Sequence, residues 1–173
     1  MKVLIVGHRL GLARALEKRS IPYALWSQKE VKNKLGADQV IIRPYPQDKK
    51  TFQDQCHNSS AITHVMAGVE SAVWPSYQIK SWLGISKQDD EFIAKCCTDK
   101  LFMKQQLSQY QIPMTEFLED CNQSFEEISK KLGSPFVAKP RRESGGRGVS
   151  FVRNENELPL DREDLYFEKL AKG

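Results

Sequence analysis

The chain has 173 residues, 40% hydrophobic and 28% charged, which is typical of a globular protein with enough residues for one sizeable core or two small ones. Its formal net charge of +4 fits a protein that handles anions such as phosphates, and it is too small to indicate nucleic-acid binding. No apolar run approaches the length of a membrane span, which argues against a membrane protein.

The first part of the chain alternates short apolar runs with segments of helical spacing. The apolar runs predict buried strands at Lys2–Val6, Tyr23–Trp26, Gln39–Arg43 and Ile62–Ala67. The helical segments are residues 10–19, Thr51–Cys56 and Ser71–Leu83. This alternation indicates βαβ units, so residues 1–86 are predicted to form a Rossmann-like domain with a parallel sheet. The lysine-rich stretch Lys29–Lys34 is predicted to be a solvated helix face, with nucleic-acid binding as the weaker alternative.

The pattern changes after residue 86. Residues 87–113 are predicted to be a helical linker, with Thr98 as the N-cap of a helix that stops before Ile112. Residues 114–173 then predict a small α+β unit with one helix, from Ser124 to Leu132, that ends at Gly133. Its predicted strands are Thr115–Leu118, Pro135–Lys139, Gly148–Val152 and Leu165–Leu170.

The cysteines and histidines are scattered and form no metal-binding spacing. The four cysteines, at positions 56, 96, 97 and 121, include no C-x-x-C pair, so neither a zinc site nor a disulfide framework is predicted. Free thiols favour a reducing compartment, and we therefore expect a cytoplasmic protein without a metal site of its own.

A glycine turn, GHRLGLA, follows the first predicted strand and opens a helix. A dinucleotide-binding turn would need a second glycine where Arg9 stands, and the next strand lacks the acidic residue that would hold a ribose. Both departures count against an NAD-dependent oxidoreductase. The segment is therefore predicted to be a tight βα turn, the alternative being an anion or substrate site at a helix N-terminus, with His8 at its rim.

A second glycine segment carries the stronger chemical signal. Lys139 ends an apolar strand, and the loop SGGRG at residues 144–148 leads into the next strand. Successive backbone N–H groups in such a loop can bind phosphate oxygens, and a lysine on the preceding strand can reach the same phosphates. Arg141, Arg142 and Arg147 add positive charge. The alternative is a plain β-hairpin with solvated arginines; the Walker A and protein-kinase motifs are both absent.

Three segments, residues 98–113, 133–152 and 166–173, have an order and spacing that resemble the ATP-grasp family, including biotin carboxylase, purine-synthesis ligases and amino-acid ligases. Residues 68–86 resemble the end of the pre-ATP-grasp domain of amino-acid ligases, so the resemblance covers nearly the whole chain. It implies an α/β fold: a Rossmann-like pre-ATP-grasp domain with a parallel sheet, followed by a small α+β ATP-grasp N-terminal subdomain.

The resemblance also implies roles for individual residues. Lys100 and Lys139 would contact the ATP phosphates, with Arg141 and Arg147 as candidates for further phosphate contacts. The mobile loop that closes over ATP would comprise Ser144, Gly145, Gly146 and Gly148. The hinge strand that reads adenine would comprise Glu168, Lys169 and Leu170. The candidate substrate-facing residues are Gly7, His8 and Glu70. For Lys100 and Lys169 the alternative is a solvent-facing lysine, and for Glu70 it is an acid that favours a helix N-terminus.

In the complete family reaction a carboxylate attacks the γ-phosphate of Mg·ATP, and an amine captures the acyl phosphate. The resemblance implies that the Mg²⁺ ligands, the ribose-binding acid and most of the acceptor site lie outside this sequence, so no catalytic residue is assigned. Ala171 and Lys172 precede Gly173, where family members often place a glycine one residue after the hinge, which leaves the hinge register open by one residue.

The main hypothesis is thus the ATP-binding portion of a carboxylate–amine ligase, active only with a C-terminal half or a partner chain, with a homodimer as a further option. The alternative is a non-catalytic nucleotide-binding module or a truncated gene product.

Overall fold

The computed structural model describes residues 1–32 and 36–171. Contacts between residues divide the chain into two compact units, Met1–Thr98 and Asp99–Gly173. The predictions that concern Lys34, Lys172 and Gly173 lie outside the described residues. Each unit has its own four-stranded sheet and its own core.

The first unit contains a parallel sheet with the strand order β3-β2-β1-β4. The strands are β1 (Lys2–Val6), β2 (Tyr23–Ser27), β3 (Gln39–Ile42) and β4 (Ile62–Ala67). All four were predicted, with bounds correct to within one residue. The prediction succeeds because the central strands are buried on both faces, so β1 and β2 consist almost entirely of apolar residues.

Helices cover both faces of this sheet. They are α1 (Leu10–Glu17), α2 (Lys49–Gln55), α3 (Val73–Trp82) and α4 (Asp90–Thr98). One face packs Leu4 and Trp26 with Phe52 of α2 and Ile79 of α3. The other face packs Val3, Ile5 and Leu25 with Ala13 and Leu16 of α1. The first unit is therefore a three-layer α/β fold, and its parallel sheet is the one that the alternation of elements predicted.

Two local predictions in the first unit are wrong. Helix α2 begins before Thr51, because the Asp48 carboxylate accepts a hydrogen bond from the Thr51 N–H at 2.8 Å and caps the helix there. The described part of the lysine-rich stretch, up to Lys32, is irregular and not helical. The Ser27 hydroxyl forms hydrogen bonds with both the carbonyl and the N–H of Lys29, which holds the chain in a bend after β2.

The second unit contains an antiparallel sheet with the strand order β5-β8-β6-β7. Its elements are α5 (Lys100–Gln109), β5 (Phe117–Leu118), α6 (Phe125–Leu132), β6 (Phe136–Pro140), β7 (Ser150–Val152) and β8 (Leu165–Lys169). A capping box between Ser124 and Glu127 begins α6, whose Ile128 and Leu132 pack on one face of the sheet. The opposite face carries Lys139 and Glu168.

The predicted linker forms two helices, α4 and α5. The N-cap of α5 is Asp99 and not Thr98, because the Asp99 carboxylate accepts hydrogen bonds from the N–H groups of Leu101 and Phe102 at 3.1 Å each. The Thr98 hydroxyl instead donates to the Ala94 carbonyl at 2.7 Å, within α4. Across the described ranges, no helix is long and apolar enough to cross a membrane.

Candidate nucleotide site

The glycine loop, residues 144–148, lies in the connection from β6 to β7 of the second unit, and residues 141–143 separate it from Lys139 and Pro140 at the end of β6. Gly145, Gly146 and Gly148 have φ angles of +65°, +76° and +68°. A side chain at Gly148 would also place its Cβ 2.7 Å from Cγ of Pro140, so the end of the loop lies against the end of β6. Only glycine fits that position without displacement of the proline ring.

Side chains of the loop and of the residue before it form hydrogen bonds with one another. The Arg147 guanidinium donates to the Glu143 carboxylate at 2.9 Å and to the Ser144 hydroxyl at 3.0 Å. These groups lie at the exposed surface, so the ion pair contributes little to stability. Arg147, a candidate phosphate contact, is thus hydrogen-bonded to Ser144 of the predicted ATP loop.

Lys100 lies at the base of the loop. Its backbone N–H donates to the Arg141 carbonyl at 2.9 Å, and its ammonium donates to the Glu143 carbonyl. The first turn of α5 is thereby fixed to the residues that open the loop. The structure thus brings Lys100 and the glycine loop together, although they are far apart in the sequence.

Asp99 connects the start of α5 to the two arginines that precede the glycine loop. Its carboxylate accepts from Arg141 at 2.6 and 3.2 Å and from Arg142 at 3.4 Å, while it also caps α5. Burial alone would raise the pKa of Asp99, but the hydrogen bonds from Arg141 and the Phe102 N–H and the arginine charges outweigh it, and the pKa lies below its usual value. Arg141, a candidate phosphate contact, is thus bound in this structure to Asp99.

We expect Asp99→Ala to lower the free energy of unfolding by about 2–4 kcal/mol at pH 7, because it removes a helix cap and a partly buried ion-pair partner. Asp99→Asn keeps a capping oxygen and should cost less. Since the folded-state pKa is lowered, the carboxylate stabilises the fold above its unfolded pKa of about 4, and this is lost as pH falls through the folded pKa. Urea unfolding should show that the difference in free energy of unfolding between Asp99→Asn and the wild type is smaller at pH 3 than at pH 7. Equal free energies of unfolding at pH 7 would contradict a stabilising role for the Asp99 carboxylate.

Glu168 lies on β8 as a buried carboxylate between two lysines. Its Oε2 is 2.7 Å from Nζ of Lys139, and its Oε1 is 3.2 Å from Nζ of Lys104 and accepts a hydrogen bond from the Thr115 hydroxyl. Desolvation raises the pKa of Glu168, but the hydrogen bonds from Lys139 and Thr115 and the two lysine charges outweigh it, so the pKa is lowered. The carboxylate is therefore ionised at neutral pH.

Lys104 was not identified from the sequence. Its spacing was the available signal: residues three apart on a helix lie on the same face, so a buried Leu101 places Lys104 on the buried face of α5. In the structure both side chains are buried. The remaining hinge residues lie at the end of β8. Lys169 forms an ion pair with Glu116 at 2.6 Å, and Leu170 follows the strand.

The candidate substrate-facing residues lie in the first unit, at the carboxyl ends of β1 and β4. These strands are neighbours, with Val6 opposite Ala67, and the turns after them touch: a Cβ at Gly68 would lie 2.0 Å from the Gly7 carbonyl oxygen. The strand order changes direction between β1 and β4, and ligands bind at such switch points in open α/β sheets.

His8 and Glu70 follow these two turns. Nε2 of His8 is shielded from solvent and has no hydrogen-bond partner among the described residues. Glu70 begins the 3-10 turn that leads into α3, a position that also favours an acid next to a helix N-terminus. In residues 1–32 and 36–171, no three His, Cys, Asp or Glu side chains are grouped so as to hold a metal ion. The four cysteines are free thiols.

Comparison with known proteins gives matches to solved structures. No protein-family model matches the chain, and no curated protein matches it significantly in sequence. N5-carboxyaminoimidazole synthetase from Staphylococcus aureus, complexed with ADP, matches 98% of this chain over 47% of its own, with 18% identity and a TM-score of 0.75. The L-amino acid ligase from Bacillus licheniformis matches 99% of this chain over 44% of its own, with 17% identity and a TM-score of 0.72.

A third structure is the biotin carboxylase domain of the Hydrogenobacter thermophilus 2-oxoglutarate carboxylase, in complex with MgADP, ADP and bicarbonate. It matches 98% of this chain over 44% of its own, with 16% identity and a TM-score of 0.67. The chain thus spans less than half the length of these proteins. Identities this low show the fold alone: the chain has the fold of the N-terminal part of these enzymes, which confirms the fold class predicted from the sequence and agrees in fold with the resemblance.

Proposed function

We propose that this chain binds ATP as the N-terminal portion of an ATP-grasp ligase that activates a carboxylate for attack by an amine or a similar nucleophile. One observation carries the proposal: Lys139 lies at the end of β6 and the glycine loop at residues 144–148 follows that strand, on a fold shared by a synthetase whose structure contains ADP. Lys100 at the base of the loop and the buried Glu168 beside Lys139 support it.

The residues around the loop fit a nucleotide phosphate group. Gly145 and Gly146 have open space where a side chain would be, with no atom of the described residues within 4 Å, so an anion can approach the loop backbone. Lys100 and Lys139 supply positive charge from two different elements of the same unit. On this proposal Glu168, Lys169 and Leu170 line the adenine side, and Arg147 adds a phosphate contact from within the loop.

When bound, ATP supplies the phosphoryl group that activates the carboxylate. The chain's own residues position and neutralise it, which is the main contribution of a protein to phosphoryl transfer. Such positioning requires lysines and the backbone N–H groups of the loop but no protein nucleophile. Mg²⁺ accompanies ATP in this chemistry, and we assign none of its ligands to this chain.

The first unit would contribute to the carboxylate or amine site. Gly7, His8 and Glu70 lie at the switch point between β1 and β4, where a small substrate can contact backbone groups of both turns. The shielded and unpaired Nε2 of His8 supports a polar ligand there, since buried polar atoms are normally hydrogen-bonded.

Isothermal titration with ATP, ADP and NADH tests the proposal. We expect saturable binding of ATP and ADP and none of NADH. If neither adenine nucleotide binds at about 1 mM, the proposal is contradicted. That concentration corresponds to a binding free energy of about −4 kcal/mol. Mg²⁺-dependent release of ADP in the presence of mixed carboxylates and amines would show a ligase; binding without release would favour the non-catalytic module.

A further inference from the structure

The buried carboxylate of Glu168 is shared by two lysines that differ in their access to solvent. The side chains of Lys104 and Glu168 are each 10% exposed, whereas that of Lys139 is 30% exposed. The two ammonium groups approach opposite oxygens, Lys104 at Oε1 and Lys139 at Oε2. Lys104 is thus the interior partner and Lys139 the outer one.

Lys104 is held in place by more than the carboxylate. Its ammonium donates to the Thr115 hydroxyl at 3.2 Å and lies 5.4 Å from the centre of the Phe117 ring. Thr115 in turn donates to Glu168, which closes a small network around Oε1. A buried lysine requires such partners, because an uncompensated charge in the interior is strongly unfavourable.

The charges of Lys104, Lys139 and Glu168 sum to +1. If Lys104 neutralises Glu168, the charge of Lys139 is available to an anion at the loop. Without Lys104, Lys139 would be the sole counter-ion of a buried carboxylate, and its movement towards a phosphate would leave that carboxylate unpaired.

We propose that Lys104 is a positioning residue that holds the Glu168 carboxylate and thereby leaves the Lys139 ammonium free for the nucleotide phosphates. The proposal rests on the proposed function, because it assigns Lys139 to those phosphates. Lys104 itself does not contact the nucleotide. Its effect on binding is therefore transmitted through Glu168, and this predicts a specific pattern of coupling.

The test is a double-mutant cycle read by titration with ADP. Lys104→Met should weaken ADP binding by about tenfold or more, since Lys139 is then held by Glu168. In the Glu168→Gln background, the same change should alter affinity by less than about twofold, because no carboxylate remains to capture Lys139. Lys104→Arg, which keeps the charge, should restore most of the binding. Lys130→Met, a change at an exposed lysine of α6, is the matched control and should bind as the wild type does.

A second measurement does not depend on the nucleotide. The carboxyl ¹³C resonance of Glu168, followed from pH 7 to acid, reports its titration among Lys104, Lys139, Thr115 and Tyr166, the polar groups that face it. Loss of the Lys104 cation should raise the pKa of Glu168. Thermal unfolding of each variant confirms that it is folded.

The outcomes separate the two proposals. If the wild type binds no ADP, the proposed function fails. If the wild type binds ADP but Lys104→Met binds equally well, or weakens binding by the same factor in both backgrounds, the positioning role is overturned while the proposed function stands. An unchanged titration of Glu168 in Lys104→Met also overturns it.

Discussion

Replacement of Lys139 by methionine should abolish ADP and ATP binding, with a loss of affinity of at least about 100-fold, or ~3 kcal/mol. Methionine keeps most of the aliphatic length of lysine but offers no charge to the phosphates. Lys104 stays within 3.2 Å of Glu168, so the buried carboxylate keeps a counter-ion and the fold should persist. The effect should therefore fall on binding and not on folding.

The measurement is titration calorimetry with ADP, alongside urea unfolding of the same samples. Lys130→Met removes an equal charge from α6 and should bind as the wild type does, which separates a specific contact from the loss of net charge. Undiminished ADP binding by a folded Lys139→Met protein would show that the phosphates are not held at this strand. The assignment of Lys139 and of the glycine loop would then be wrong.

Gly68→Ala should produce a large loss of stability, more than about 3 kcal/mol in the first unit. The added Cβ would lie 2.0 Å from the Gly7 carbonyl oxygen, which is a backbone atom and cannot rotate away. Relief requires that the turns after β1 and β4 move apart, although the N–H of Gly68 donates to the Val6 carbonyl at 2.7 Å. The substitution should therefore disrupt the switch point as well as the core beneath it.

Gly11→Ala is the matched control, because its Cβ would meet no atom within 4 Å among the described residues and it lies within α1. There alanine should stabilise the protein by about 0.5–1 kcal/mol. Tryptophan fluorescence in urea follows this unit selectively, since all three tryptophans, at positions 26, 74 and 82, lie in it. A Gly68→Ala midpoint equal to that of the wild type would contradict the close approach of the two turns.

The sequence predicts the parallel sheet well because burial on both faces leaves an unbroken apolar signal in strands such as Lys2–Val6. The antiparallel sheet is predicted less closely: Thr115–Leu118 reduces to the two residues Phe117–Leu118. A short strand at a sheet edge has too few paired groups for its pattern to mark where pairing begins.

The helix cap and the ion pairs that depend on residues far apart in the sequence could not be predicted from its pattern. Both Thr98 and Asp99 are good capping residues, and the choice of Asp99 depends on Arg141, which approaches from another part of the chain. The two lysines around Glu168 likewise come together only through tertiary structure. Lys139 and the glycine loop could be singled out because they are close in sequence, and their contact with ATP stays a prediction.

The strand order of the first sheet also constrains how this unit forms during synthesis. β1 can pair with β2 as soon as the chain has passed Ser27, but its other edge waits for β4, which begins at Ile62. Until then the nascent chain presents an unpaired edge of an apolar strand, the kind of surface to which other chains add. Protection of that edge on the ribosome, by a chaperone or by rapid elongation, would therefore favour correct folding of this unit.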